Sequence, residues 1–280
     1  MTLLGDTYPE RAGSMRPARY PYGPHPAQYG ELWLPGRAAV TTVVIVHGGF
    51  WRARYDLSLG RPLAADLVQR GYAVWNLEYR RVGAGGGWPA TFEDIAAGID
   101  LLADLPVSTS RIAAIGHSAG GHLAAWAAGR GQLAPGVPGA APRVALTAVV
   151  AQAGVLALAD CAREGTGGTA ALDLMGGGPG KLPERYRLAD PMAALPLAAP
   201  VLCAHSRADG SVPFRYSERY VQAATGAGGN AYLYETSGDH FTLIDPGSPD
   251  WQAVTSALPG LLDEGQGDGE GDGAGDGSGL

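Results

Sequence analysis

Short apolar runs alternate along the chain with longer segments in which apolar residues recur at helical spacing. The clearest run is 42–46, because five successive β-branched residues are typical of a strand that is buried on both faces. The predicted strands are 31–34 (antiparallel), 42–46, 72–77, 111–115, 145–151, 201–204 and 232–234. The predicted helices are 59–70, 92–105, 119–129, 214–224 and 250–262. This alternation predicts an α/β fold with a mostly parallel, twisted sheet and helices on both faces.

One stretch of the pattern, 153–200, is predicted to be a long irregular connection that is rich in glycine at 165–168 and 176–180. Connections of this length in α/β enzymes often form caps, so a small cap-like segment or a plain surface loop is expected here. We expect residues 1–28 to be a leader that packs on the domain and residues 29–264 to be the domain itself. The acidic, glycine-rich tail 265–280 is expected to be disordered.

A G-x-S-x-G motif at 116–120 lies between a predicted strand and an alanine-rich predicted helix. This context is typical of a nucleophile elbow, in which Ser118 is held in a strained turn with its hydroxyl exposed above the sheet. The plainer alternative is a glycine-rich turn with a capping serine. We predict that Ser118 is the nucleophile.

A second motif, HGGFW at 47–51, follows the buried strand 42–46. Backbone amides in such a loop can stabilise the negative charge that develops on a substrate oxygen. The predicted donors are the amides of Gly49, Phe50 and Ala119, with Gly48 in reserve. The alternative is a turn whose glycines only relieve backbone strain.

The general base is chosen among six histidines, and His240 is predicted because it lies in a loop after the last strand. The others are His25 in a proline-rich leader, His47 and His117 in the two turns, His122 in the elbow helix and His205 at the end of a strand. Asp209 is predicted to orient the base, since it follows the strand 201–204 and lies between Ser118 and His240. Asp173 and Asp190 are rivals in the long connection, and Asp190 before a proline favours a turn role.

Taken together, these motifs resemble those of α/β-hydrolase serine esterases, and most closely the hormone-sensitive-lipase-like and kynurenine-formamidase-like carboxylesterases. The resemblance rests on HGGFW at 47–51, NLEYR at 76–80, GHSAGG at 116–121, HSRADGSVP at 205–213 and GDHFTLIDP at 238–246. It implies the α/β-hydrolase fold and a catalytic triad of Ser118, Asp209 and His240. Phe50 replaces the third glycine of the lipase-like HGGG motif, and formamidase-like members carry an aromatic residue followed by tryptophan at this place.

Three functions follow as hypotheses. The first is a carboxylesterase for small or aryl esters, the second an arylformamidase that cleaves N-formylkynurenine-type amides, and the third a binding protein whose chemistry has lapsed. The third is disfavoured because no triad member is missing. Trp51, Trp88 and Phe241 lie near the catalytic loops in sequence, so they are predicted to bind substrate or else simply to pack.

Charge and composition limit the classes of molecule that the protein is expected to bind. Of 27 acidic residues, six lie in 263–280, so the rest of the chain carries 21 acids against 20 bases and offers no basic face to nucleic acid or to a membrane. Cys161 and Cys203 are predicted to be buried free thiols. No metal-binding or dinucleotide motif fits its context, so no metal and no organic cofactor are expected. We expect a cytoplasmic protein that acts on a small ester or amide, with a homodimer left open.

Overall fold

Eight strands form one mixed sheet in the computed structural model, which describes residues 16–265. They are β1 (Ala18–Pro21), β2 (Tyr29–Trp33), β3 (Thr42–Val46), β4 (Ala73–Leu77), β5 (Ile112–His117), β6 (Ala148–Gln152), β7 (Val201–Ser206) and β8 (Ala231–Thr236). Their order across the sheet is β1-β2-β4-β3-β5-β6-β7-β8. The six strands from β3 to β8 pair in parallel, in the order just given. β2 pairs antiparallel with both β1 and β4.

The strands at the centre of the sheet are buried on both faces. Every residue of β3 to β7 is buried, which agrees with the uninterrupted apolar runs in the sequence. The seven predicted strands are all present, and the predicted antiparallel strand at 31–34 is β2. The sequence pattern missed β1, since it has only four residues and none of them is buried.

Helices cover both faces, as predicted. On one face α1 (Arg61–Gln69) and α8 (Pro249–Glu264) pack on the sheet through Leu67 and Trp251. On the other face lie α2 (Ala90–Asp100), α3 (Ala119–Ala128) and α7 (Arg215–Gly226). Within residues 16–265, no helix has both the length and the apolar character needed to cross a membrane.

The prediction that 153–200 is irregular is wrong. Three short helices lie in it: α4 (Leu158–Glu164), α5 (Ala170–Met175) and α6 (Pro183–Ala189). Each has six or seven residues, which is too short for helical periodicity to be recognised in the sequence. Buried side chains such as Leu158, Leu174 and Tyr186 anchor them on the hydrophobic core. Cys161 in α4 is a buried free thiol, as is Cys203 in β7, which confirms that prediction.

The domain boundaries stay predictions. β1 lies inside the segment assigned to the leader and forms one edge of the sheet, and α8 ends at Glu264. The rest of the leader, residues 1–15, and the predicted tail from 266 onward lie outside the described residues.

The parallel strands bring the chemistry to one edge of the sheet. His47 follows β3, Ser118 follows β5, Asp209 follows β7 and His240 follows β8. Because parallel strands end on the same side, their carboxyl ends place these four loops together.

Candidate active site

Ser118 lies at a sharp turn between β5 and α3. Its backbone adopts φ 54° and ψ −117°, a strained conformation for a residue other than glycine, as the motif predicted. The prediction that its hydroxyl is exposed is wrong, because Ser118 is only 2% exposed and the neighbouring loops cover it. The turn fits tightly, since a Cβ atom on Gly120 would lie 2.0 Å from the carbonyl oxygen of Val46. The Ser118 amide donates a hydrogen bond of 2.8 Å to the carbonyl of Gln152 in β6. The surrounding packing therefore holds the serine in its strained position.

His240 and Asp209 are joined by a short hydrogen bond of 2.6 Å between Nδ1 and Oδ2. The same oxygen lies 3.2 Å from Nε2 of His205, and Oδ1 accepts from the amides of Ser211 and Val212 at 2.7 and 2.8 Å. Burial raises the pKa of Asp209, but the hydrogen bonds from His205 and His240 outweigh it and hold that pKa well below its usual value. An ionised Asp209 keeps the proton of His240 on Nδ1, which leaves Nε2 free to accept another.

His117 connects the serine turn to the His240 loop. Its Nε2 atom donates to the carbonyl of His240 at 2.8 Å, and the two rings are 4.5 Å apart. Burial, together with the neighbouring His240, lowers the pKa of His117 to about 3, so this ring is neutral. No hydrogen bond joins the Ser118 hydroxyl to the His240 ring in the described part of the chain. Catalytic hydrogen bonds of this kind often tighten only when substrate binds.

The HGGFW loop packs directly on this turn. A Cβ atom on Gly48 would lie 2.8 Å from the carbonyl oxygen of His117 and 3.2 Å from Cβ of Ser118. Gly49, Phe50 and Trp51 all have positive φ angles, of 110°, 50° and 56°. Three such residues in succession turn the backbone sharply beside the serine.

Free amide groups remain in this region. Across residues 16–265, the amides of Gly49, Phe50 and Ala119 donate to no protein acceptor. Ala119 is the first residue of α3, where amides lack a partner within the helix. These are the three donors that the sequence predicted, and unpaired amides beside a serine can bind a negatively charged oxygen.

The aromatic residues predicted to bind substrate lie in different environments. Phe241 is 60% exposed, with its ring 5.2 Å from that of His240, so it can contact a bound molecule. Trp88 is half-buried and packs edge-on against Phe92 at 5.0 Å. Trp51 has no exposed surface, so in this conformation it packs in the core under the HGGFW loop and does not reach a bound molecule.

Several residues around the site were missed. The Tyr55 side chain covers Gly49 and is 38% exposed, and the Phe50 ring lies on Gly167 in the long connection. His205 reaches the Asp209 carboxylate from within β7. The only signal for this contact in the sequence was that His205 lies four residues before Asp209. The sequence does not show that the chain turns back between the two residues.

The rival acids have local roles. Asp190 accepts hydrogen bonds from the amides of Ala159 and Met192, at 2.8 and 3.2 Å, which agrees with its predicted role in a turn. Asp173 accepts from the hydroxyl of Thr169 at 2.7 Å. Neither is bonded to His240, so the geometry favours Asp209.

An open groove of about 660 Å³ borders Asp209 on the side of the long connection. Its walls include Thr166 and Gly167 from the connection and Arg207, Phe214 and Arg215 from the segment after β7. No three His, Cys, Asp or Glu residues between 16 and 265 are grouped so that they could hold a metal ion.

Comparisons with known proteins agree with this architecture. The BD-FAE family model matches residues 32–223, which include Ser118 and Asp209. A truncated carbohydrate esterase from gut microbiota is similar, with a TM-score of 0.73 and 21% identity over 91% of this chain and 98% of that one. Esterase B from Lactobacillus rhamnosis gives a TM-score of 0.75 and 20% identity over 88% of this chain and 84% of that one.

A butyrate-bound thermophilic esterase from the planctomycete Thermogutta terrifontis gives a TM-score of 0.68 and 21% identity over 89% of this chain and 92% of that one. The search of curated proteins found no match. The structural likenesses confirm the predicted α/β-hydrolase fold.

Proposed function

The chain belongs to the BD-FAE family, a family of α/β-hydrolase esterases, and on this premise we propose that it is a serine esterase whose nucleophile is Ser118. The observation that carries the proposal is the 2.6 Å hydrogen bond between His240 and Asp209 in the loops beside the strained Ser118. A buried, ionised carboxylate that fixes the tautomer of a histidine is what a serine nucleophile requires of its base.

In the proposed reaction, Nε2 of His240 takes the hydroxyl proton of Ser118 while the serine oxygen attacks the ester carbonyl. The amides of Gly49, Phe50 and Ala119 stabilise the resulting oxyanion. His240 then gives its proton to the departing alcohol, and an acyl-enzyme remains. Water then gives a proton to the same histidine and attacks the acyl-enzyme. The histidine returns that proton to the oxygen of Ser118 as the acid leaves, which regenerates the serine.

We propose a small or aryl carboxylic ester as the substrate. Phe241 offers an exposed aromatic surface beside His240, and Phe50 is half-buried in the HGGFW loop. Aromatic walls with a few placed amide donors suit a substrate with an apolar group next to its carbonyl.

The arylformamidase alternative uses the same residues, and the aromatic pair Phe50 and Trp51 after the two glycines favours it. A formamide would pass through a formyl-enzyme on Ser118 instead of a longer acyl-enzyme. The two functions therefore differ in substrate and not in machinery. The intact pairing of Asp209 with His240 argues against a binding protein that has lost its chemistry.

A substrate panel tests the proposal. The purified protein is assayed with p-nitrophenyl acetate and butyrate, a long-chain p-nitrophenyl ester, an aryl ester and N-formylkynurenine, with Ser118→Ala as the blank. We expect the short and aryl esters to give the highest kcat/KM. A clear preference for N-formylkynurenine would establish the formamidase alternative. No turnover of any member above the blank would contradict both.

A further inference from the structure

A buried contact between His47 and Glu78 lies beneath the HGGFW loop. Nε2 of His47 is 3.0 Å from Oε1 of Glu78, and the two side chains are 0% and 3% exposed. The Glu78 carboxylate also accepts from the amides of Leu57 and Tyr79, at 3.0 and 2.9 Å, and from the guanidinium of Arg81 at 2.6 Å. Burial raises the pKa of Glu78, but the hydrogen bond and charge of His47, with the charge of Arg81, lower it below its usual value. Glu78 is therefore an ionised acceptor.

His47 has an acceptor on each ring nitrogen. Nδ1 lies 2.8 Å from the carbonyl oxygen of Gly48, while Nε2 meets Glu78. A carbonyl and a carboxylate can only accept, so both nitrogens must carry hydrogen, and a neutral imidazole has only one. We infer from these two contacts that His47 is an imidazolium. Other titratable groups that face it are Tyr79, stacked at 4.4 Å, Arg81 across Glu78, and Asp56.

Hydrogen bonds hold three successive carbonyl groups of the loop, two of them from His47 and its neighbour Tyr79. The Tyr79 hydroxyl donates to the carbonyl of His47 at 2.9 Å, His47 donates to that of Gly48, and the Arg52 amide donates to that of Gly49 at 3.0 Å. In a trans peptide the N–H points away from the C=O of the same unit. Holding the Gly48 carbonyl therefore aims the Gly49 amide away from the network.

We propose that His47 and Glu78 are positioning residues for the oxyanion hole: the His47 imidazolium, fixed by Glu78, holds the Gly48 carbonyl and so directs the Gly49 amide at the reacting oxygen. This inference rests on the proposed esterase function. It assigns a role to two residues that touch neither the substrate nor the serine.

Two substitutions of His47 separate positioning from packing. Asparagine places its amide nitrogen near the Nδ1 position, so His47→Asn can still donate to the Gly48 carbonyl. Glutamine places its amide near Nε2, so His47→Gln can reach Glu78 but loses the Gly48 bond. In Glu78→Gln the His47 ring keeps a single hydrogen, because its partner is no longer a charged carboxylate. The amide oxygen of the glutamine attracts this hydrogen to Nε2, so the Gly48 carbonyl again loses its donor.

The first experiment measures kcat and KM for p-nitrophenyl butyrate per active site titrated with a fluorophosphonate. Removal of one oxyanion donor costs about 10²–10³ in kcat, so misdirecting one should cost roughly 10–100-fold in His47→Gln and Glu78→Gln, with KM within about twofold. His47→Asn should recover most of the loss. The matched control is Glu31→Gln, which also removes a buried carboxylate from an arginine pair, with Arg61, and should keep kcat unchanged.

Two results would overturn the inference: wild-type kcat per titrated site in both His47→Gln and Glu78→Gln, or equal losses in His47→Asn and His47→Gln. The second experiment does not depend on turnover. Nitrogen NMR of the His47 ring at neutral pH, assigned by its loss in His47→Gln, should show two protonated nitrogens in the wild type and one in Glu78→Gln. A single protonated nitrogen in the wild type would refute the imidazolium. If the wild type hydrolyses no ester, the proposed function fails, and this spectrum still tests the ion pair.

Discussion

Gly48→Ala should slow ester hydrolysis, because its new methyl group has no room. The Cβ atom would lie 2.8 Å from the carbonyl oxygen of His117 and 2.9 Å from its Nδ1, where ordinary contacts begin at 3.4 Å. One of these contacts involves backbone, so the loop must retreat from the Ser118 turn by about 0.6 Å. The amides of Gly49 and Phe50 would move with it.

A displacement of this size at an oxyanion hole should lower kcat by roughly 10–100-fold, since a 1 Å misplacement can cost about 10²-fold. Overpacking should lower the free energy of unfolding by about 1–3 kcal/mol. The assay is kcat per titrated active site with p-nitrophenyl butyrate, with urea unfolding in parallel. Gly131→Ala is the control, because no atom lies within 4 Å of its added Cβ. Unchanged kcat in Gly48→Ala would refute this placement of the loop.

Three further results are expected. Asp209→Asn should lower kcat by about 10⁴-fold and Asp190→Asn should not, because an amide supports the wrong tautomer of the base; the reverse order in a kcat measurement would show that the acid is misassigned. Burial lowers the pKa values of His117 and His122 from 6.5 to about 3 and about 4. The unfolded chain therefore binds more protons below pH 6.5, and stability should fall with falling pH by up to about 1.4 kcal/mol per pH unit for each ring. When the free energy of unfolding by urea is measured at several pH values, it should change less steeply with pH in His122→Gln than in the wild type. An equally steep change with pH would contradict the neutral His122 ring. Phe241→Ala should raise KM for aryl esters several-fold with kcat within about twofold, and an unchanged KM would remove it from the binding surface.

The central strands were predictable because their chemistry is uniform. The five β-branched residues of β3 are typical of a strand in the middle of a parallel sheet, where both faces are buried, and the predicted bounds of that strand are the observed ones. The helices of the long connection were not predictable, since six or seven residues show less than two turns of periodicity. Their stability comes from packing on the core, which the sequence does not display.

At the site, the motifs predicted those features that depend only on residues close together in the sequence. The strained turn at Ser118 and the free amide at Ala119 follow from a strand, a glycine-flanked serine and a helix in succession. The contact between His240 and Asp209 joins residues 31 positions apart, and chain order was enough to suggest it. The pair of His47 with Glu78 also spans 31 positions, but no motif rule connected them. Such support networks emerge only when neighbouring strands are placed side by side.

Labelling with a fluorophosphonate followed by mass spectrometry tests the central claim most directly. Such a reagent bonds to an activated serine and leaves ordinary hydroxyls unmodified. We expect one adduct per wild-type chain, located on Ser118, with turnover of p-nitrophenyl butyrate lost in proportion to labelling. Ser118→Ala should take up no reagent and should lose roughly three or more decades of turnover while keeping its thermal stability. An adduct on a different residue, or a Ser118→Ala protein that hydrolyses the ester as the wild type does, would contradict the account.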